Sequence, residues 1–466
     1  MRPEIKEYNY DWMLGSLLKV ASEIGNSSEK EIQYLTNYIP YFKGTLSVLL
    51  REGEVGTCFI RLLDKYFDNI LTAHQNSKKI SAITFCLSPA LFHAMNIVPV
   101  TLEVMTGLAG LLWKRGAYDY LDYGCELGFT ETSCSSQRGA LGAYLAGLGE
   151  EIDFLVCDTP GVCDTNANAF AFASTFMEKP FFQLNYPQTI GDEKTRKYHL
   201  DDYKDLITFL KEQTGKDLDV DRLREVLKEV DKQDDILAEI EDFYCLVPNP
   251  IPVIFNLFIY IGRFISAGLP EYTELLELML EKVQQNAQKG ITGLHFEQEK
   301  ARVFMCYIDH YTLNLDFFDW LNRRGISHLG GILSRNFRDN TRYASELEKS
   351  TYGIDTSTFE TMLTSLSEMN ATLPMVRSIR GPFDKPNMWL EESISLARLY
   401  HADCVVYNGT PGCRNTWGMV KPFAREVEKA GFPVHIMNGD AFDDRVESWE
   451  STVNRLEEFL SIRGLL

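Results

Sequence analysis

Over the first 78 residues, apolar positions recur every three or four residues, in DWMLGSLLKVASEI and again in CFIRLLDKYFDNILTAH. That period lines one face of a helix, so residues 1–78 are expected to form a helical layer laid against something larger. From about residue 79 the pattern changes. SAITFC, IVPVTL, DFLVCD and PFFQLN are short, nearly continuous apolar runs, the signature of strands covered on both faces. Between them SPALFHAMN, CSSQRGALGAYLAGLG and CDTNANAFAFASTFMEK read as helices. Strand–helix alternation of this kind builds a parallel sheet with helices on both sides.

Residues 191–300 break the alternation. KTRKYHLDDYKDLITFLKEQTG, DVDRLREVLKEVDKQDDILAEIEDFYCLV and TELLELMLEKVQQNAQKG are amphipathic helices whose charge runs are solvated outer faces. Alternation returns over 301–466, with strand-like ARVFMCYID, ISHLGGIL, DCVVYNG and FPVHIMN and the helices NTWGMVKPFAREVEKAG and ESWESTVNRLEEFLSI. The expected fold is α/β: two parallel-sheet, flavodoxin- or Rossmann-like lobes at 79–190 and 301–466, with helical segments at 1–78 and 191–300. A length of 466 residues suffices for two or three full cores. Two similar lobes imply a cleft, and ligands of open parallel sheets sit at the carboxyl ends of strands.

Net charge of −20 excludes nucleic acid and an anionic membrane surface as general partners, while a few placed arginines could still bind a small anion. The most apolar stretch, Ile251 to Gly262, is too short to span a bilayer and holds Pro252 and Asn256, so it reads as a buried helix. MRPEIKEYNYDWML has charges where a signal peptide needs an apolar run, and a cytoplasmic location is expected. Ten cysteines in that compartment are core residues, metal ligands or redox groups rather than a disulfide framework.

Three of the ten fall at predicted helix starts. Cys134 lies in ETSCSSQRGALG, Cys163 follows the strand DFLVCD, and Cys413 follows DCVVYNG in NGTPGCRNTWG. A helix start offers unpaired N–H groups and partial positive charge, which lower a thiol pKa and favour the metal-binding thiolate. Small or turn-forming neighbours (Ser133, Ser135, Pro160, Gly161, Pro411, Gly412) let backbone approach a bulky group closely. Buried packing is the competing explanation. It fits Cys86, Cys306 and Cys404 in apolar strands, and Cys58 and Cys245 in helical patterns. Cys125 and Cys157 compete as ligands. GTPGCRNT lacks the Lys–Ser/Thr ending of a phosphate loop, so ATP hydrolysis is not expected of this chain. No GxGxxG follows a first strand, which leaves dinucleotide binding without support.

CSSQRGALGAYLAG, DFLVCDTPGVCDT, VVYNGTPGCR and PVHIMNGDAFDDR together resemble the 2-hydroxyacyl-CoA dehydratase and class I benzoyl-CoA reductase family, as does SPALFHAMNIVPVTLE ahead of them. The resemblance runs from about Ser81 to Arg463 and is weakest in the middle. It implies an oxygen-sensitive subunit with Cys134, Cys163 and Cys413 on a [4Fe–4S] cluster in the cleft between the lobes. Three protein thiolates leave one iron open to a substrate oxygen. It further implies an acyl-CoA substrate, a homologous second subunit, and a separate ATP-hydrolysing activator that injects single electrons. One electron on the thioester carbonyl gives a ketyl radical anion able to expel a 2-hydroxyl. In the reductase branch the electron enters an aromatic ring.

Glu103 falls where the family has an active-site carboxylate, and a buried acid there could handle the β-proton or the leaving hydroxyl. A first-turn glutamate stabilising the helix dipole is the plain alternative. Ser88 is a helix cap or a donor to substrate. Arg138 and Arg414 could face the cluster or the acyl-CoA phosphates, or form surface salt bridges. His93 reads as a core histidine, and His310 has no assigned role. Two other functions remain open: an electron-relay subunit with a fourth ligand from Cys125 or Cys157, and a metal-free two-lobed binding protein.

Overall fold

The computed structural model describes residues 9–23, 40–112, 114–159, 161–186, 193–307, 315–331, 334–335, 338, 352–376, 388–410, 412–413 and 417–466. The strands are β1 (Ile80–Ile83), β2 (Val98–Thr101), β3 (Phe154–Asp158), β4 (Phe181–Leu184), β5 (Ala301–Tyr307), β6 (Ile326–Gly331), β7 (Cys404–Gly409) and β8 (Val434–Asn438). They form two four-stranded sheets, ordered β2-β1-β3-β4 and β6-β5-β7-β8, and every pairing is parallel. The two-lobed α/β expectation is borne out. Both sheets repeat one order, with the chain leaving the first strand toward one side and later crossing to the other. That reversal opens a crevice at the carboxyl ends of the two central strands. Pro99 is tolerated in β2 because β2 is an edge strand and needs no donor on its outer side.

The helices are α1 (Tyr10–Ser22), α2 (Pro40–Leu50), α3 (Glu54–Thr72), α4 (Ala90–Ala94), α5 (Leu102–Leu112), α6 (Lys114–Glu126), α7 (Ser135–Leu145), α8 (Asp164–Met177), α9 (Glu193–Thr214), α10 (Val220–Asp242), α11 (Phe255–Ser266), α12 (Pro270–Gln288), α13 (Leu315–Arg324), α14 (Phe359–Ala371), α15 (Met388–Leu399), α16 (Val420–Lys429) and α17 (Trp449–Ile462). The middle helices are not a free-standing unit. α10 packs on α4 and α12, α12 on α3, and α9 on α14. The apolar run from Ile251 forms α11, whose residues are buried almost all round. Among the described residues, no helix is long and apolar enough to cross a membrane.

One strand is shorter than its apolar run. SAITFC stops being a strand at Ile83. Thr84 Oγ1 donates to Asp158 Oδ1 at 2.9 Å and accepts from Cys86 N at 3.2 Å, while Phe85 N donates to Glu103 Oε2 at 3.2 Å. These side chains take the backbone donors that a longer strand would give its neighbours, and the chain turns into the crevice.

The N-terminal layer is anchored by a buried acid. Asp11 accepts from Tyr144 Oη at 2.8 Å and Glu150 N at 2.7 Å, and Tyr10 Oη donates to Met105 O at 2.8 Å. Burial pushes the Asp11 carboxyl from its ordinary 3.8 up to about 6. The folded state therefore holds this proton more tightly than the unfolded chain. The associated stability is fully present below the unfolded pKa and is lost as pH rises through about 6. A shift of that size corresponds to about 3 kcal/mol. Urea unfolding at about pH 4.5 and about pH 7.5 should therefore show a smaller pH-dependent loss in Asp11→Asn than in wild type. An equal loss in both would sink the assignment.

Candidate active site between the lobes

The three singled-out cysteines converge. Cys134 is the N-cap residue of α7, with its Sγ 2.9 Å from Ser136 Oγ. Cys163 caps α8, its Sγ accepting from Asn166 N at 3.5 Å. Cys413 follows β7, where its N donates to Thr410 O at 2.8 Å and its O accepts from Trp417 N at 2.9 Å. Residues 414–416, between it and α16, lie outside the described residues. The two cysteine loops from different lobes touch through backbone: a β-carbon at Gly412 would lie 3.0 Å from Thr132 O and 3.1 Å from Cys134 N. Each of Cys134 and Cys163 feels the charge of Cys413, and Cys163 feels that of Cys134.

The helix starts at Cys134 and Cys163 do not make those two thiols acidic, contrary to expectation. Burial, then the nearby Asp440, pushes Cys134 up to about 12. Burial and Asp158 raise Cys163 well above the ordinary thiol value. Desolvation outweighs the end of one helix dipole. A cationic centre would favour the thiolates of Cys134 and Cys163 against this burial, since a bound metal inverts the local pKa order. Among the described residues, no three His, Cys, Asp or Glu side chains are grouped to hold a single metal ion.

Glu103 opens α5 just past β2 and is 2% exposed. Its Oε1 accepts from Gln137 Nε2 at 2.6 Å. The same amide nitrogen donates to Asn166 Oδ1 at 2.6 Å, and Asn166 Nδ2 donates to Asp158 Oδ1 at 2.9 Å. Asp158 Oδ2 accepts from Cys163 N at 3.0 Å. A continuous buried chain thus joins two carboxyls and ends on the backbone of a candidate ligand. Burial raises Glu103 well above the usual carboxylate range and Asp158 to about 6. Gln137 Oε1 is buried without a hydrogen-bond partner.

Asp158, Asn166 and Gln137 were missed in the sequence. A signal was available: Gln137 and Asn166 each stand three residues after a helix-starting cysteine, and Asp158 ends the buried strand before Cys163. Cys86 is fully buried, as a packing cysteine should be, yet Asn166 Nδ2 reaches its Sγ at 3.8 Å and Cys163 and both acids raise its pKa after burial.

Arg138 is neither on the surface nor free for phosphate. It is 3% exposed, pairs with Asp443 Oδ2 at 3.3 Å and donates to Thr130 O at 3.1 Å. Phe442 N donates to Ser135 Oγ at 2.9 Å beside it. Arg445 binds Asp443 and Asp122, its guanidinium 4.6 Å from the Tyr118 ring centre, and Tyr118 Oη donates to Asp444. This network clamps α6 and α7 of the first lobe to the loop after β8.

Ser88 is held by the turn into α4. Its N donates to Asn370 Oδ1 at 2.8 Å, its Oγ accepts from Ala90 N at 3.3 Å, and it lines a cavity of about 30 Å³ with Arg263 and Arg335. Cys157 lies in β3 with its field set by burial, Asp158, Gln183 and Glu103 rather than by the three cysteines. Cys125 is half-buried in α6. Arg414 and His310 lie outside the described residues.

Residues 86–462 match the model of a family described as 2-hydroxyglutaryl-CoA dehydratase, D-component. The chain belongs to that family. The match takes in Glu103, all three cysteines and the clamp, and leaves out α1–α3 and β1. A benzoyl-CoA reductase subunit of Thauera aromatica is 23% identical over 399 residues, covering 80% of this chain and 84% of that protein. This D-component family member is thus an enzyme subunit of dehydratase or reductase type, and the resemblance read from the cysteine motifs holds.

Proposed function

We propose that this chain is the [4Fe–4S] subunit of an ATP-activated radical acyl-CoA enzyme, either a 2-hydroxyacyl-CoA dehydratase (a lyase) or a benzoyl-CoA-type reductase (an oxidoreductase). The observation that carries the reading is the convergence of Cys134, Cys163 and Cys413 from both lobes, with Gly412 packed on the backbone of Cys134. Those three would hold the cluster. When bound, such a cluster supplies low-potential single electrons and Lewis acidity.

The chain's own residues do the rest. Glu103, protonated when buried, can deliver a proton from its carboxyl to a leaving hydroxyl and afterwards accept the β-proton. Gln137 orients it through the 2.6 Å bond to Oε1. Asp158 and Asn166 fix the Cys163 turn. The Arg138–Asp443 clamp holds the lobes together over the crevice, which favours exclusion of water. The proposed partners are an acyl-CoA substrate, a homologous second subunit and a separate ATP-hydrolysing electron donor, in the cytoplasm.

Anaerobically purified protein should contain iron and acid-labile sulfide. With activator, ATP and a reductant, a panel of 2-hydroxyacyl-CoA and benzoyl-CoA thioesters then separates loss of water from ring reduction by product mass. A colourless, iron-free preparation that turned over any of these thioesters would overturn the reading.

A further inference from the structure

A second cavity, of about 290 Å³, opens beside α3, α4, α10 and α12. It lies at the amino ends of β1 and β2, since Lys78 precedes one strand and Asn96 and Ile97 lead into the other. Cys163 and Glu103 follow the carboxyl ends of strands in the same parallel sheet, so this cavity is at the opposite end from them.

Its charge is out of keeping with the molecule. In a chain of net charge −20, the lining carries Lys65, Lys78 and Arg222 against one carboxylate, Glu271. Among the described residues, Lys65 and Lys78 have no ion-pair partner, and Arg222 has only the exposed Glu225 at 3.7 Å. His93 lines the same cavity, with its Nε2 3.2 Å from Ile265 O. Burial, followed by the positive field of Arg222 and Lys78, holds its imidazole down at about 4. The rest of the wall includes Leu62, Ile97 and Leu269.

We propose that this cavity binds a small phosphate-bearing organic ligand, with the phosphate among Lys65, Lys78 and Arg222 and the organic part on the apolar wall. In a chain whose net charge disfavours anions overall, three cations lining one concave site beside a single carboxylate give a local field that attracts one. The volume is at the lower end of small-molecule pockets, which suits a mononucleotide or one end of a larger molecule. Two sources share this chemistry: a free nucleotide and the phosphorylated end of coenzyme A. The site lies at the opposite end of the sheet from Cys163 and Glu103, and only its coenzyme A arm rests on the acyl-CoA reading above.

Calorimetric titration of the anaerobically purified full chain with adenosine 5′-monophosphate and with coenzyme A tests it. One-to-one binding of at least one probe is expected, weakened at least tenfold in Lys65→Glu/Arg222→Glu. Both residues are exposed, and the iron content and unfolding midpoint of that variant should match wild type. Lys78→Gln should weaken the same probe in the same direction. Loss confined to adenosine monophosphate assigns a free nucleotide, and loss of coenzyme A binding assigns the cofactor end. No saturable binding of either probe, or binding unchanged in both variants, overturns the proposal.

Discussion

Cys413→Ala is expected to strip most of the iron from anaerobically purified protein and to abolish turnover. Changing an outer-sphere partner of a metal ligand costs about 10–100-fold in affinity or activity, so losing one of three proposed ligands should cost more than about 100-fold. Cys404→Ala is the control. Cys404 is fully buried in β7, the strand that leads to Cys413. Its replacement should lower stability as a small core cavity does and leave iron content unchanged. Gly412→Ala keeps every thiol but drives a β-carbon to 3.0 Å from Thr132 O. It should lower iron content by separating the two loops. Wild-type iron and turnover in Cys413→Ala would remove the basis for the cluster.

Glu103→Gln should retain iron and lose about 10²–10⁴-fold in turnover, the range expected for removing a general acid or base. The substitution preserves shape in a fully buried position, where the carboxyl sits well above its usual range because burial disfavours its charge. A change in stability of only about 1 kcal/mol is expected, the net worth of one hydrogen bond. The pH profile separates chemistry from packing. If the protonated acid is the active form, wild-type activity declines as pH rises through its raised pKa, and the residual activity of Glu103→Gln lacks that limb. Turnover close to wild type with the limb intact would exclude Glu103 as the acid.

The two sheets were legible because strand signals are local. Phe154–Asp158 and Cys404–Gly409 are buried at every position, and a strand covered on both faces has to be written as a continuous apolar run. The cysteines at strand-to-helix turns were legible for the same reason, since turn residues mark the boundary. Helix starts were harder. The single helix expected from Cys413 to Ala430 is interrupted, since α16 begins at Val420 with Met419 at its cap, and residues 414–416 lie outside the described residues. Ser88 was offered as a helix cap, whereas Pro89 occupies that place and the Ser88 hydroxyl reaches Ala90 N.

By itself, then, the sequence determined the two parallel sheets, the places where the cysteines leave them, and membership of a family through the motifs around those cysteines. Only the tertiary structure decided what surrounds them. Arg138 meets Asp443 across 305 residues of chain, and no periodicity encodes that pairing. Asp158, Asn166, Gln137 and Glu103 come from four separate elements and become one hydrogen-bonded chain only when β3, α8, α7 and α5 pack together. The thiol pKa values reversed for the same reason. A helix start is a local feature that lowers them, but burial is a property of the whole fold, and here its desolvation penalty is the larger effect.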